Sequence, residues 1–244
     1  MLAIDAKNLI KTYKSLTAVD DLSLQVAEGE LLSLLGMNGA GKSTTIKMLS
    51  CLTRPDSGDA LIYGKSIVSQ PDEVKRMIGI SPQENSFARN LTVEENLRFM
   101  CGVYSMDKAS SQKSIDRIVA QLSLEKVMSQ RAGKLSGGWQ KRLSIAMALV
   151  TEPKLLFLDE PTLGLDIVAR RELWTLIENL KGKTTMIVTT HYLEESEHLA
   201  DKIAVMKDGK IRAHGTLESL KEQTGKETLE DVFLEISAGQ GGKI

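Results

Sequence analysis

The chain of 244 residues has few cysteines, prolines and aromatic residues. Its two cysteines, Cys51 and Cys101, do not form a C-x-x-C pair, which argues against structural zinc and a disulfide framework. No apolar run reaches the ~18 residues that span a bilayer, and the first residues have no signal-peptide pattern. We therefore expect a protein of a reduced, cytoplasmic compartment that does not cross a membrane by itself.

The chain has no large excess of positive or negative charge. Lys plus Arg total 31 and Asp plus Glu total 32, which gives a formal net charge of −1. Proteins that bind nucleic acid through their bulk charge are strongly basic. We therefore expect no nucleic-acid partner, although a local basic patch is compatible with this total. The length is sufficient for one large domain, or for two unequal lobes that share a core.

One segment matches a phosphate-binding pattern. Gly36–Thr44 reads GMNGAGKST and fits G-x-x-x-x-G-K-[ST] at every position, between the apolar run Leu31–Leu35 and the helical pattern Lys42–Leu52. A loop in this setting directs backbone N–H groups and the positive end of the helix dipole at one anion. A glycine-rich turn that binds nothing is the alternative, and the strand-loop-helix setting disfavours it.

The loop therefore predicts that the chain binds a nucleoside triphosphate. Lys42 is expected to neutralise the β- and γ-phosphates, and the Ser43 hydroxyl to ligate Mg²⁺. The predicted contacts are Asn38, Gly39, Ala40, Gly41, Lys42, Ser43 and Thr44.

The remaining patterns predict an α/β fold. It has a P-loop NTPase core, an N-terminal antiparallel β subdomain and an inserted α-helical subdomain. We expect a single domain over residues 1–237, with the core at 1–83 and 151–215, the helical insert at about 84–150 and short C-terminal helices at 216–237. Residues 238–244 are expected to form a flexible tail.

Two carboxylates follow the continuous apolar run Leu155–Leu158, which is typical of a buried parallel strand. Ligands of open α/β sheets bind at the carboxyl ends of the strands, where Asp159 and Glu160 are expected. Asp159 is placed to hold Mg²⁺, directly or through water, and Glu160 to polarise an attacking water as a general base. An ordinary acidic pair at a strand end is the alternative.

Three further segments complete a family resemblance. Leu135–Gly138 reads LSGG before a helix, Pro161–Asp166 follows the acidic pair, and His191 ends the next strand. Together with the phosphate loop, these segments resemble the ATP-binding cassette (ABC) ATPases, the nucleotide-hydrolysing subunits of ABC transporters. The resemblance runs from about Asn8 to Gly215.

The resemblance implies roles for four single side chains. Tyr13 is similar to the aromatic residue that stacks on adenine. Gln83 resembles the glutamine that senses Mg²⁺ and couples the site to the transporter. His191 resembles the histidine that contacts the γ-phosphate, and Asp166 the aspartate that crosses between subunits.

The LSGG segment implies a dimer. In the family, this segment closes over the γ-phosphate held by a second subunit, and here it corresponds to Ser136, Gly137 and Gly138. An ordinary helix N-cap is the alternative. The resemblance thus implies a homodimer, or a pair with another ABC ATPase, around two ATP molecules. Met37 stands where the family usually has proline, a change that affects only the stiffness of the loop. Trp139 stands where the family usually has glutamine, which leaves the closure geometry open.

We therefore expect an ATPase subunit, peripheral on the inner face of the cell membrane, that serves separate transmembrane permease subunits. Thr228–Leu234 resembles the tail of bacterial drug- and ion-exporting members, which favours export. A soluble ABC ATPase acting on ribosomes or nucleic acid is the alternative. An ordinary phosphate-loop kinase or GTPase does not explain Ser136–Gly138, and the sequence has no N-K-x-D motif.

Overall fold

The computed structural model describes residues 1–238, which form ten strands and nine α-helices. The strands are β1 (Leu2–Tyr13), β2 (Leu16–Ala27), β3 (Leu31–Leu35), β4 (Ser57–Ile62), β5 (Lys65–Ser66), β6 (Ile78–Ser81), β7 (Leu155–Asp159), β8 (Thr185–Thr190), β9 (Lys202–Lys207) and β10 (Lys210–Gly215). The helices are α1 (Lys42–Leu49), α2 (Pro71–Lys75), α3 (Val93–Val103), α4 (Lys108–Gln121), α5 (Gly137–Leu149), α6 (Ile167–Glu178), α7 (Leu193–Leu199), α8 (Leu217–Thr224) and α9 (Leu229–Ala238).

These elements group into two compact units. The first unit combines Met1–Arg76 with the chain from Lys181 onward, and the second unit is Met77–Leu180. No helix among residues 1–238 is both long and apolar enough to cross a bilayer.

The first unit contains two kinds of sheet. An antiparallel sheet has the order β2-β1-β4-β5, and β3 pairs in parallel with β8 on one side and β9 on the other. Every residue of β3 and β8 is buried, as expected for parallel strands whose two faces are covered. Helices α8 and α9 add an apolar cluster against this sheet, formed by Leu35, Ile203, Val205, Ala213, Leu220, Leu229, Val232 and Ile236.

The second unit pairs β6 in parallel with β7 and carries α3 to α6. Helix α5 lies so close to β6 that a Cβ added at Gly79 would be 2.3 Å from the Ala148 carbonyl oxygen. Helix α3 begins at a reciprocal capping box. The Glu95 amide donates to Thr92 Oγ1 (3.1 Å), and the Thr92 amide donates to the Glu95 carboxylate (2.7 Å).

The predicted fold class is confirmed, with an N-terminal antiparallel sheet and a parallel sheet next to the phosphate loop. The helix predicted from Lys42 ends at Leu49 rather than Leu52, because Cys51 has a φ of 58° and turns the chain. The domain boundaries given above remain a prediction. The flexible tail was predicted over residues 238–244, and residues 239–244 lie outside the described residues.

Candidate functional site

The phosphate loop of the first unit lies between the end of β3 at Leu35 and the start of α1 at Lys42. Two backbone bonds fix it to neighbouring strands. The Gly36 amide donates to the Thr190 carbonyl at the end of β8 (3.3 Å), and the Gly209 amide of the β9–β10 turn donates to the Ala40 carbonyl (3.0 Å). The first of these bonds holds the start of the loop to the end of β8, and His191 is the next residue after that end.

Neighbouring atoms leave no space for a side chain at two glycines of the phosphate loop. Gly41 has a φ of 105°, and a Cβ added there would lie 2.3 Å from the Ala18 carbonyl oxygen and 2.6 Å from the Met206 methyl carbon. A Cβ at Gly36 would be 2.5 Å from the Met206 carbonyl oxygen. These glycines are therefore required by the close approach of the neighbouring backbone. The three residues Met37, Asn38 and Gly39 are exposed at the tip.

Lys42 lies over this loop, and only 5% of its surface is exposed. Its ammonium donates to the carbonyl oxygens of Gly36 (2.8 Å) and Met37 (3.2 Å). No side chain caps the first turn of α1, which also contains the half-buried Ser43 and Thr44. A buried cation and an uncapped helix start form a local environment that suits a phosphate group.

The other two predicted residues of the first unit lie at strand ends. Tyr13 is the last residue of β1, is 43% exposed, and has the Lys11 ammonium 5.6 Å from its ring centroid. His191 follows β8 and is half-buried, and its ring packs on Tyr192 with centroids 4.2 Å apart. The exposed Tyr13 ring is available for stacking, as its predicted role requires.

In the second unit, the acidic pair ends strand β7 as predicted. Asp159 is the last residue of the strand, and Asp159 and Glu160 are 8% and 5% exposed. Glu160 has a φ of 50°, a left-handed conformation that is uncommon for a residue with a side chain. Its carbonyl accepts from the Leu163 amide (3.2 Å), which holds the turn. A buried carboxylate at the carboxyl end of a parallel strand favours a chemical role for Glu160.

Helix α5 begins directly at the LSGG segment. Ser136 occupies the N-cap position, but its exposed side chain makes no capping hydrogen bond. Gly137 is exposed and Gly138 approaches α6, where an added Cβ would be 3.2 Å from Ala169 Cβ. The start of α5 therefore presents a hydroxyl and backbone amides that its own side chains do not cap.

Trp139 and Asp166 have local partners. The Arg142 guanidinium lies 4.6 Å from the Trp139 ring centroid and also pairs with Glu172 on α6. Asp166 is the N-cap of α6, because its Oδ1 accepts from the Ala169 amide (2.9 Å). This capping role was not predicted, although aspartate before a helical pattern is a recognised N-cap signal.

Lys141 is a residue that the sequence analysis did not identify. It is 6% exposed, and its ammonium donates to the Gln83 carbonyl oxygen (2.6 Å), whereas the Gln83 residue itself is exposed. Burial lowers the pKa of Lys141, and the negative charges of Asp159 and Glu160 oppose that change. The available signal was its spacing from Ser144 and Ile145, which places a lysine on the buried face of α5.

Comparisons with known proteins identify the relatives of this chain. The sequence profile of the family described as "ABC transporter" matches residues 19–163. The daunorubicin/doxorubicin resistance ATP-binding protein DrrA of Streptomyces peucetius is 40% identical over 228 residues, which cover 93% of this chain and 69% of that protein.

Solved structures agree with the sequence comparison. An ATP-binding subunit of an ABC transporter superposes with a TM-score of 0.86 at 30% identity, covering 96% of this chain and 99% of that one. The dimeric cassette MJ0796, in a post-hydrolysis state bound to ADP and Pi, superposes with a TM-score of 0.79 at 28% identity, covering 88% of this chain and 98% of that one.

Proposed function

Because the chain belongs to the ABC transporter family as an ATP-binding, ATP-hydrolysing subunit, we propose that each ATP is clasped between two subunits. The phosphate loop of one subunit holds the nucleotide, and Ser136–Gly138 of the other closes over its γ-phosphate. The second subunit is another copy of this chain or a paired ABC ATPase.

The uncapped start of α5 is the observation that carries this proposal. An ordinary N-cap serine would use its hydroxyl on the amides of its own helix. Ser136 does not, and it is exposed together with Gly137. The hydroxyl, the amides and the helix dipole therefore suit an anion brought by another molecule. The cassette MJ0796, which is dimeric in its structure with ADP and Pi, supports the proposed pairing of two subunits.

An apolar patch next to Asp166 supports a subunit contact on the same unit. Ile167 and Val168, in the first turn of α6, are 69% and 67% exposed. Exposed apolar neighbours of this kind mark interaction surfaces. Their position directly after Asp166 fits the proposed role of that residue in crossing between subunits.

The donor groups also fit a magnesium ion. Mg²⁺ prefers oxygen ligands and is commonly held by one carboxylate together with substrate phosphates. The buried carboxylate of Asp159, the hydroxyl of Ser43 and the amide of Gln83 would hold it. When bound, the ion neutralises charge that develops on the transferred phosphoryl group.

We assign the chemical step to side chains of this chain. Glu160 accepts a proton from the attacking water, and its buried position directly after β7 supports that role. His191 contacts the γ-phosphate, Gln83 senses the metal site, and Tyr13 stacks on adenine. Lys42 stabilises the negative charge of the phosphates.

We further propose that the subunit energises export through separate transmembrane permease subunits, on the cytoplasmic face of the membrane. The drug-resistance role in the name of DrrA supports the direction. So does the exporter-like segment Thr228–Leu234, most of which lies in α9. Affinity purification from detergent-solubilised membranes tests this assignment, and we expect an integral membrane protein to copurify. Recovery of ribosomes without a membrane protein would contradict it.

Substitution of Ser136 tests the two-subunit site. We expect Ser136→Ala to lower kcat about 10- to 100-fold, because a hydrogen bond to a charged group contributes about 1.5–3 kcal/mol. Binding of ATP to single subunits at low protein concentration stays unchanged, since the phosphate loop is intact. Phosphate release and titration with a fluorescent ATP analogue measure the two quantities. The exposed Ser129→Ala is the matched control, and equal activity of both variants would overturn the proposal.

A further inference from the structure

Lys141 joins two segments of the second unit that have separate roles in the proposed function, on which this inference rests. It lies in the second turn of α5, the helix that begins at the LSGG segment. Its ammonium donates to the backbone of Gln83 at 2.6 Å and leaves the Gln83 side chain unused. Lys141 therefore fixes where Gln83 lies without occupying the group that acts.

Neighbouring contacts place the same two segments side by side. The Asn85 side-chain amide donates to Gln140 Oε1 (3.0 Å), and Ser81 Oγ shares a hydrogen bond with Ser144 Oγ (2.8 Å). Alternate residues from the end of β6 onward, Ser81, Gln83 and Asn85, thus contact one face of α5. The Lys141 bond lies in the middle of this row.

The charge of Lys141 sets it apart from the other two contacts. Burial lowers the pKa of Lys141, and the negative charges of the buried Asp159 and Glu160 oppose that change. A hydrogen bond from a protonated donor is shorter and stronger than a neutral one, as the 2.6 Å distance indicates. A charge-assisted bond thus holds the Gln83 backbone to the second turn of α5.

We propose that Lys141 is a positioning residue for ATP hydrolysis, which holds Gln83 in register with the LSGG end of α5. Gln83 and Ser136–Gly138 thereby respond to nucleotide together. Loss of this bond allows Gln83 to move away from its working position, while the phosphate loop keeps its structure.

The test compares Lys141→Met and Lys141→Arg in the full chain. We expect Lys141→Met to lower kcat about 10- to 100-fold, the equivalent of one charge-assisted hydrogen bond. KM and the affinity for a fluorescent ATP analogue change less than about threefold, because a tenfold change requires about 1.4 kcal/mol. Hydrogen–deuterium exchange of a peptide over residues 82–88 becomes faster. Lys141→Arg restores kcat and slow exchange, because arginine keeps the charge and the donor.

Lys113→Met is the matched control, since Lys113 is an exposed lysine of the same unit, and it is expected to behave as wild type. A purely structural role for Lys141 would lower the melting temperature but leave kcat per folded molecule unchanged, which would overturn the proposal. Equal losses of kcat and of ATP affinity would also overturn it. If Lys141→Met shows no melting transition, Lys141→Gln replaces it under the same criteria.

Glu160→Gln, measured in parallel, separates the two proposals. An active Glu160→Gln variant contradicts the proposed function itself. An inactive Glu160→Gln variant together with a normal Lys141→Met variant contradicts only the role of Lys141.

Discussion

Replacement of Glu160 by glutamine is expected to lower kcat about 10²- to 10⁴-fold, because an amide cannot accept the proton that a general base removes. Glutamine has nearly the same shape, so the buried site is conserved. ATP binding persists while hydrolysis stops, and an ATP-bound dimer therefore accumulates. Phosphate release measures the loss, and analytical ultracentrifugation with Mg-ATP measures the dimer.

Glu152→Gln is the matched control for this variant. Glu152 lies in the same unit and has a φ of 55°, close to the 50° of Glu160, but it is exposed. Its substitution tests whether any change of a glutamate at this backbone conformation disturbs the enzyme. Normal hydrolysis by Glu160→Gln would rule out Glu160 as the base.

Replacement of Lys42 by methionine is expected to weaken ATP binding about 10- to 100-fold, which corresponds to the loss of one hydrogen bond to a charged group. The Lys42 ammonium is buried and bonded to the Gly36 carbonyl oxygen, which places its charge at the phosphate loop. The rate of ATP hydrolysis falls together with the affinity for ATP, whereas Glu160→Gln loses hydrolysis and keeps ATP binding. Titration with a fluorescent ATP analogue measures the affinity.

The exposed Lys47 of the same helix provides the comparison, because Lys47→Met removes an equal charge away from the loop. We expect wild-type affinity for that variant. Thermal unfolding without nucleotide shows whether Lys42→Met has also disturbed the loop. Unchanged ATP affinity of a folded Lys42→Met variant would contradict the proposed phosphate contact.

Features that depend on residues close together in the sequence could be predicted. The phosphate loop follows from the spacing of its glycines and Lys42, and the α3 start from the pair Thr92 and Glu95. Asp159 was placed correctly at the end of β7 because a continuous apolar run precedes it.

Features that depend on contacts distant in sequence were not predictable. The bond from Lys141 to Gln83 joins residues 58 positions apart, and a lysine in a helical pattern is by default expected at the surface. The sequence also did not indicate that the Ser136 hydroxyl makes no capping hydrogen bond, because a serine before a helix usually caps that helix. The left-handed turn at Glu160 depends on the surrounding structure, since glutamate has no intrinsic preference for it.

The backbone bonds from Gly209 to Ala40 and from Gly36 to Thr190 have a consequence for the affinity for nucleotide. The phosphate loop is held near both ends, and the close approach of Gly41 to the Ala18 backbone fixes its bend. The loop therefore keeps its shape before a ligand binds. Less conformational entropy is then lost when ATP binds, and this lowers one of the costs of association. A substitution in the β9–β10 turn would loosen the loop and weaken ATP binding without removing a phosphate contact.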